Sequence, residues 1–209
     1  MSVVAPRKRR KEARPSELTA AALALFVEKG FAATRLEDVA QRAGVSKGTL
    51  YLYFDSKEAL FKAVIQEGVV PVVAQGESIA ANHQGSAFEL LERLLDNWWT
   101  GMGLTSFSGI PKLMVAESRN FPEVAAFYYE NVILRARALI GAALERGMAA
   151  GEFRRMDVET TIEVLVAPIL MLLIWRHSMV CCQEMPVEPR TYLSIHLDLL
   201  RKGLQASQV

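Results

Sequence analysis

Residues 34–61 read TRLEDVAQRAGVSKGTLYLYFDSKEALF, and this stretch predicts two short helices joined by a tight turn. Thr34, followed three residues later by Glu37, has the pattern of a capping box at a helix start. Gly44 ends this first helix, because glycine adopts the left-handed conformation without a Cβ clash. Ser46 then supplies a hydroxyl that can cap the second helix.

The turn and its two helices have the layout of a helix-turn-helix, whose second helix lies in the major groove of DNA. Leu50 and Phe54, four residues apart, form the buried face of the second helix. The polar side chains left to point elsewhere are Lys47, Thr49, Tyr51 and Tyr53. The same residues also fit an ordinary αα-corner with half-buried tyrosines, and residue chemistry alone leaves both interpretations open.

A longer pattern favours the DNA-binding interpretation. Residues 39–60 follow the pattern VAxxAGVSKGTLYxYFxSKxxL, which resembles the DNA-binding signature of the TetR family of bacterial transcription regulators. The resemblance covers the N-terminal quarter of the chain. It implies an all-α protein of about nine helices, with a DNA-binding head at residues 1–62 and a regulatory body at residues 63–209. The body is then expected to bind a small-molecule effector and to form a homodimer.

The resemblance also implies which residues contact a double-stranded DNA operator. The set expected at the major groove is Lys47, Gly48, Thr49, Tyr51, Leu52 and Tyr53, and Ser46 is also expected among the DNA-binding residues. Thr34, Arg35 and Lys57 are expected to hold the DNA backbone. Leu52 departs from the family pattern, which often has a polar or aromatic residue there, and leucine can at best touch a thymine methyl group.

Charge is distributed unevenly along the chain. The net charge of the whole protein is +1, but residues 1–62 carry +5 and residues 63–209 carry −4. A basic segment on an acidic remainder suits a head that binds a polyanion. Much of the positive charge lies in a basic arm within residues 1–15, which is expected to be a solvated tail or, beside DNA, a phosphate-binding segment. The first helix is expected to begin after the arm, with Ser16 as its N-cap.

The body contains a large set of aromatic and methionine residues, which fit either a ligand cavity or an ordinary core. The predicted ligand-binding set is Trp98, Trp99, Met102, Phe107, Met114, Glu117, Phe121, Tyr128 and Trp175. Glu117 would be its one charged member; the competing and preferred interpretation pairs Glu117 with Arg119 or Lys112 on the surface.

Two helices in the C-terminal part predict the dimer. Residues 164–175 are apolar around the whole helix, so they need cover on every side. The last helix carries leucines at helical spacing. The predicted interface set is Leu172, Leu193, Leu197, Leu200 and Leu204, and pairing with a second copy would give a four-helix interface.

Other chemistries find little support in the sequence. His177 and Cys181 share a helix face, but two ligands do not make a metal site, and a structural role is the preferred interpretation. Phosphate-binding glycine loops and the common hydrolase motifs are absent, so neither an enzyme nor a cofactor is expected. The adjacent Cys181 and Cys182 and the lack of a signal sequence favour a soluble cytoplasmic protein, associated with the nucleoid when bound to DNA. The alternative function is a helical ligand-binding and dimerisation module without specific operator recognition.

Overall fold

The computed structural model describes residues 7–179 and 188–206, with side chains from Pro15 onward. Cys181 and Cys182 lie outside the described residues. The α-helices are α1 Arg7–Lys29, α2 Leu36–Arg42, α3 Lys47–Tyr51, α4 Lys57–Gly68, α5 Val70–Asn82, α6 Ala87–Trp98, α7 Ile110–Glu117, α8 Pro122–Tyr128, α9 Leu134–Ala149, α10 Val158–Ser178 and α11 Pro189–Leu204.

Several of these helices join end to end. Val69 keeps helical torsion angles between α4 and α5, and a π-turn at Tyr129–Ile133 connects α8 to α9. A second π-turn, Trp99–Gly103, extends α6, and a 3₁₀ turn, Ser106–Gly109, leads into α7. Counted as continuous rods, the described residues form nine helices and no strand, which confirms the predicted all-α fold.

The helix ends agree with the sequence in most places. Ser46, Ser56, Ser86 and Asp157 cap α3, α4, α6 and α10 by accepting a hydrogen bond from a backbone N–H. Gly44 has φ +66° in the turn between α2 and α3, as the turn requires. Two predicted starts are wrong. The N-cap of α2 is Arg35 rather than Thr34, and α1 begins at Arg7, so Pro15 lies inside it and Ser16 is not its cap.

The continuous α1 changes the picture of the basic arm. The backbone is helical from Arg7, where the sequence predicted an irregular tail. A proline inside a helix removes one N–H donor and crowds the preceding turn, but it does not always end the helix. Pro15 is such a case, because α1 runs through it.

Two hydrophobic clusters form the interior. The first is built around Phe26, Phe31 and Phe61, whose ring centroids lie 5.0–5.1 Å apart. It continues without a break from α1–α4 into Ile110, Val124 and other body residues. The second cluster joins α6, α9 and α10. The division of the chain at residues 62/63 therefore stays a prediction, since the first core crosses that boundary.

The two last helices bury the predicted leucine stripe against their own chain. Leu172 and Leu204 are buried, and Leu193, Leu197 and Leu200 are partly buried against the second cluster. Packing within one chain therefore accounts for these leucines, and their place in a dimer interface stays a prediction. On α10 and α11, the large apolar side chains that face outward are Val164, Met171, Trp175, Ile195 and Leu199.

The helix α10 is 21 residues long and, by length and composition alone, apolar enough to cross a membrane. The core helix of a soluble protein passes the same test, so this is weak support for a membrane span. Only 28% of its most apolar window is buried within the protomer. One apolar side of α10 is therefore left without cover among the described residues.

The aromatic cluster gives a stability prediction. Phe61→Ala removes a side chain that is 1% exposed and in contact with two other rings. We expect the free energy of unfolding to fall by about 3–5 kcal/mol, because the substitution loses apolar burial and leaves a cavity. Urea denaturation measures this change. Leu104→Ala, at a half-exposed leucine, is the control; similar losses for both variants would contradict the proposed role of the ring cluster.

Candidate nucleic-acid interface and ligand cavity

The second helix of the helix-turn-helix, α3, presents an open surface. Leu50 is fully buried and anchors α3 to the core, whereas Ser46, Lys47 and Gly48 are exposed. At the other end of α3, Leu52 is 82% exposed and carries no polar group. The outward surface of α3 thus combines one cation, backbone at a glycine, and aromatic and aliphatic side chains.

Lys47 is held loosely at this surface. Its ammonium group forms an ion pair with Glu37 of α2 and lies 5.7 Å from the ring centroid of Tyr51. The hydrogen bond from Lys47 lowers the pKa of Glu37, and the same bond raises the pKa of Lys47. Both side chains are exposed, so the pair is screened by solvent and can be exchanged for a phosphate or base contact.

Two of the residues predicted to hold the DNA backbone have internal partners instead. Thr34 is only 2% exposed, and its hydroxyl donates to the carbonyl oxygen of Gly30 at 2.7 Å. The Lys57 Nζ donates to the carbonyl oxygens of Phe31, Ala32 and Thr34 at 2.7–3.1 Å. The Thr34 hydroxyl and the three N–H donors of Lys57 are therefore occupied inside the unbound protein, and their contacts with the DNA backbone stay a prediction. Arg35, by contrast, is exposed.

The turn that Lys57 stabilises also contacts the body. The Phe31 ring packs edge-on against Phe121, with 4.4 Å between centroids, and the Lys57 ammonium lies 4.6 Å from the Phe31 centroid. The Glu117 Oε1 accepts a hydrogen bond from the Ala32 N–H at 3.3 Å. Residues 30–34 are thus joined to the segment between α7 and α8. Burial lowers the pKa of Lys57, although Glu58 and Glu117 partly offset this effect.

A cavity of about 940 Å³ lies in the body. Its walls come from α5, α6, α7, α8, the π-turn Tyr129–Ile133, α9 and α10. Three members of the predicted ligand-binding set line it, namely Trp98, Met114 and Tyr128. These three residues were found because aromatic and methionine side chains are common in adaptable apolar sites.

The other six predicted ligand-binding residues do not line this cavity, so their ligand-binding role stays a prediction that the cavity does not support. Phe121 packs on Phe31 in the head, and Glu117 lies at the surface. The partners of Glu117 are the Ala32 N–H at 3.3 Å and the Asn120 amide at 3.1 Å, and neither Arg119 nor Lys112 forms the expected ion pair with it.

Packing explains the remaining members of the set. Trp99 and Met102 are buried in the two core clusters. The Phe107 ring covers Gly68, where an added Cβ would lie only 1.9 Å from the ring. Trp175 is half exposed on the outer side of α10. Tryptophan, methionine and phenylalanine suit a core as well as a cavity, so residue type alone did not separate the two.

The cavity also has wall residues that the sequence analysis missed. Val72, Val73 and Gly76 on α5, and Ile162 and Val166 on α10, are aliphatic or small and give no signal that separates them from a core. The helix α5 is fixed to α9 by Arg135, whose Nε and Nη2 each donate to a Glu77 carboxylate oxygen at 2.8 Å.

His177 has a structural environment near the end of α10. Its Nε2 lies 2.9 Å from the Ser108 hydroxyl, and its carbonyl oxygen accepts a hydrogen bond from the Lys112 Nζ at 2.7 Å. Burial, followed by the positive charges of Arg176 and Lys112, lowers the pKa of His177. The described part of the chain, residues 7–179 and 188–206, contains no group of three or more His, Cys, Asp or Glu side chains suited to a metal ion.

Comparison with known proteins gives one family match over the head and a second over the body. The family described as bacterial regulatory proteins, tetR family, matches residues 18–64, and the tetracyclin repressor-like C-terminal domain matches residues 82–181. The chain is 35% identical over 95 residues to the uncharacterized HTH-type transcriptional regulator YfiR of Bacillus subtilis, a match that covers 43% of this chain and 46% of YfiR.

Longer matches exist at lower identity. The HTH-type transcriptional repressor KstR2 of Rhodococcus jostii is 29% identical over 161 residues, which cover 74% of this chain and 76% of that repressor. The crystal structure of the TetR family transcriptional regulator PfmR of Thermus thermophilus is similar with a TM-score of 0.71 and 25% identity, covering 90% of this chain and 98% of PfmR.

Together the fold, the exposed α3 and the family matches define a DNA-binding transcriptional regulator. The chain belongs to the TetR family, which is a family of regulators and not of enzymes.

The contacts of Lys57 give a second prediction. Lys57→Met keeps the length of the side chain but leaves three carbonyl oxygens without their donor. We expect the free energy of unfolding to fall by about 1–3 kcal/mol, since unsatisfied backbone groups are costly. Urea denaturation gives this value. The matched control is Lys62→Met, which removes a long ion pair to Glu123 on the surface. A loss no greater than that of the control would show that the Lys57 contacts do not stabilise the turn.

Proposed function

We propose that this protein is a cytoplasmic bacterial repressor that binds a palindromic operator as a homodimer and leaves it when a small molecule occupies the body. The observation that carries the proposal is the path of one helical rod. Its first half, α4, packs against α1 in the head, and its second half, α5, forms a wall of the 940 Å³ cavity. Occupancy of the cavity therefore acts on the rod that leaves the DNA-binding head.

The proposed DNA-reading surface is α3 with the residues at its two ends. Lys47 has an ammonium group that can bind a guanine edge or a phosphate, and the hydroxyls of Thr49, Tyr51 and Tyr53 can bind phosphates or bases. Gly48 allows close approach of the backbone, since an added Cβ would have only the Ser46 hydroxyl within 4 Å. Ser46, whose hydroxyl caps α3, lies exposed at the first end of this surface. The exposed Leu52 at the other end can contact a thymine methyl group.

The proposed dimer uses the outward apolar side of α10 and α11. Val164, Met171 and Trp175 are exposed along α10, and Ile195 and Leu199 are exposed along α11. Large apolar side chains grouped on one surface are unusual for a monomer and typical of an interface. A palindromic operator also requires two recognition helices about 34–36 Å apart, which a single head cannot provide.

The proposed release mechanism follows from the cavity walls. The α5 residues Val72, Val73 and Gly76 would move outward when a ligand fills the cavity, and the α4–α5 rod would carry that movement to the head. Residues of α7 line the same cavity, and Glu117 at the end of α7 bonds to the Ala32 N–H. Occupancy of the cavity would thus affect the head through two sets of contacts, one along the α4–α5 rod and one through α7.

A second candidate function follows from the nature of Leu52. An apolar residue, 82% exposed on the proposed reading surface, adds little base selectivity. A helical ligand-binding and dimerisation module without specific operator recognition would tolerate it. A footprint on the DNA upstream of the protein's own coding sequence separates the two functions. A repressor protects a short palindrome at salt concentrations that abolish general binding, whereas the module protects no defined site.

The DNA contacts can be tested by side-chain removal. We expect Lys47→Ala and Tyr53→Ala each to weaken binding to the footprinted DNA by about 5- to 100-fold, because each removes a polar contact. Fluorescence anisotropy measures the affinity, and thermal melting verifies that the variants stay folded. Glu130→Ala, an exposed position on the body, is the control. Unchanged affinity in both head variants would rule out this reading surface.

The dimer can be tested by placing charge on its proposed surface. We expect the double variant Ile195→Glu and Leu199→Glu to sediment as a monomer and to lose operator binding, because charged groups cannot be buried unpaired at an apolar interface. Analytical ultracentrifugation gives the mass. Ser194→Glu adds a charge to the same helix away from these two side chains and is expected to leave the dimer intact. A wild-type monomer at micromolar concentration would contradict the proposal.

A further inference from the structure

The two charged side chains of the cavity wall are already paired with each other. Arg137 and Glu163 are the only charged side chains among the described residues that line it. The Arg137 guanidinium donates to Glu163 and also to Glu159, one turn earlier on α10. This group carries two carboxylates for one cation. The cavity therefore offers no free positive charge to an anion, and its small negative excess lies at exposed side chains.

The deeper wall contains a different kind of polar group. Tyr128 lines the cavity and is only 6% exposed. No hydrogen bond joins its hydroxyl to a described residue, and the hydroxyl oxygen is not fully enclosed, because the Trp99 Nε1 is the one fully buried polar side-chain atom without a partner in the described part of the chain. Burial of the residue raises the pKa of Tyr128, so the hydroxyl stays protonated and able to donate. A neutral donor without a protein partner therefore lies in the wall of a large cavity.

The neutral donor and the ion pair are well separated. Tyr128 and Arg137 lie on the same α8–α9 rod, nine positions apart, which corresponds to roughly 13 Å along a helix. Between them the rod contributes Tyr129, which is half exposed, and the apolar residues Val132, Ile133 and Ala136. A ligand that reaches from Tyr128 towards Arg137 thus has an apolar body in this part of the cavity.

We propose that the cavity takes an uncharged, mostly apolar molecule with one hydrogen-bond acceptor, and that this acceptor receives the Tyr128 hydroxyl proton in a hydrogen bond. The proposal rests on the proposed effector role of the cavity and names the chemical class of the effector. An ionised group would lose its hydration without a free counter-charge at Tyr128. A carboxylate at the other end would have to displace Glu163 from Arg137 beside a second carboxylate.

Three probes with one chain length test the charge preference. The probes are 1-dodecanol, dodecanoate and dodecyltrimethylammonium, added to the full chain without DNA. The alcohol is used below its solubility limit, and the two ions are used below their micellar concentrations. Isothermal titration calorimetry measures each affinity. We expect 1-dodecanol to bind at least about 10-fold more tightly than either ion, because only the alcohol can bury its polar group at Tyr128 without an unpaired charge. Equal or tighter binding of either ion would overturn the proposal.

Two tyrosine variants test the position of the acceptor. Tyr128→Phe removes only the unpartnered hydroxyl, and we expect it to weaken 1-dodecanol binding by about 3- to 10-fold. Tyr192→Phe, the matched control, removes a tyrosine hydroxyl that donates to the Pro168 carbonyl oxygen and does not line the cavity. We expect no change for this variant. Unchanged binding in Tyr128→Phe, or an equal loss in both variants, would contradict the assignment to Tyr128.

A filled cavity confirms where the probe binds. Ala136→Trp places a large side chain on the cavity wall and is expected to abolish 1-dodecanol binding. Retained binding would place the probe elsewhere and overturn the proposal.

The footprinted DNA then separates this inference from the proposed function. If 1-dodecanol binds in the cavity but DNA is not released, the ligand class stands and release by the cavity fails. If an ion releases DNA and Ala136→Trp blocks this release, the proposed function stands and the ligand class is wrong.

Discussion

The position of the DNA-binding head depends on how the turn at residues 30–34 is held. Lys57 binds three carbonyl oxygens of this turn from the first residue of α4. The same ammonium lies over Phe31, whose ring packs on Phe121 at the start of α8. Helix α4 thus fixes the end of α1, the beginning of α2 and a contact to the body through one side chain. The proposed release mechanism depends on these shared contacts, through which a movement of α4 or of the α7–α8 segment would reach the helix-turn-helix.

Sequence patterns were sufficient where local chemistry decides the structure. The φ of +66° at Gly44, the capping hydroxyl of Ser46 and the buried Leu50 follow from short-range rules, and each is present as expected. The predicted all-α fold rested on similar helix signals along the chain, together with the family resemblance. Trp98, Met114 and Tyr128 were placed in the ligand-binding set because of their residue types, and they line the cavity.

Long-range contacts decided the features that the sequence could not predict. Lys57 meets its carbonyl partners across 23–26 residues, so no local pattern indicates that its charge is used internally. The leucine stripe of α11 is periodic, but periodicity shows only that one face is buried and not what covers it. Leu197 and Leu200 pack on their own protomer, while Ile195 and Leu199 are left exposed. In the same way, Trp99 and Trp98 are adjacent, yet only Trp98 reaches the cavity.

The distance between the two heads of a dimer tests directly whether occupancy of the cavity changes the spacing of the heads. A spin label at the exposed Gln41 of α2, in a chain with Cys181 and Cys182 replaced by serine, allows pulsed electron paramagnetic resonance between the two copies. On the footprinted DNA we expect a single narrow distance, because successive major grooves on one side of the duplex, about 34–36 Å apart, fix both heads. Without DNA, and with the cavity occupied, the distribution is expected to shift away from that value. The absence of any dipolar signal on DNA would contradict the proposed dimer. A distance distribution that is identical with an occupied cavity would contradict the proposed release mechanism.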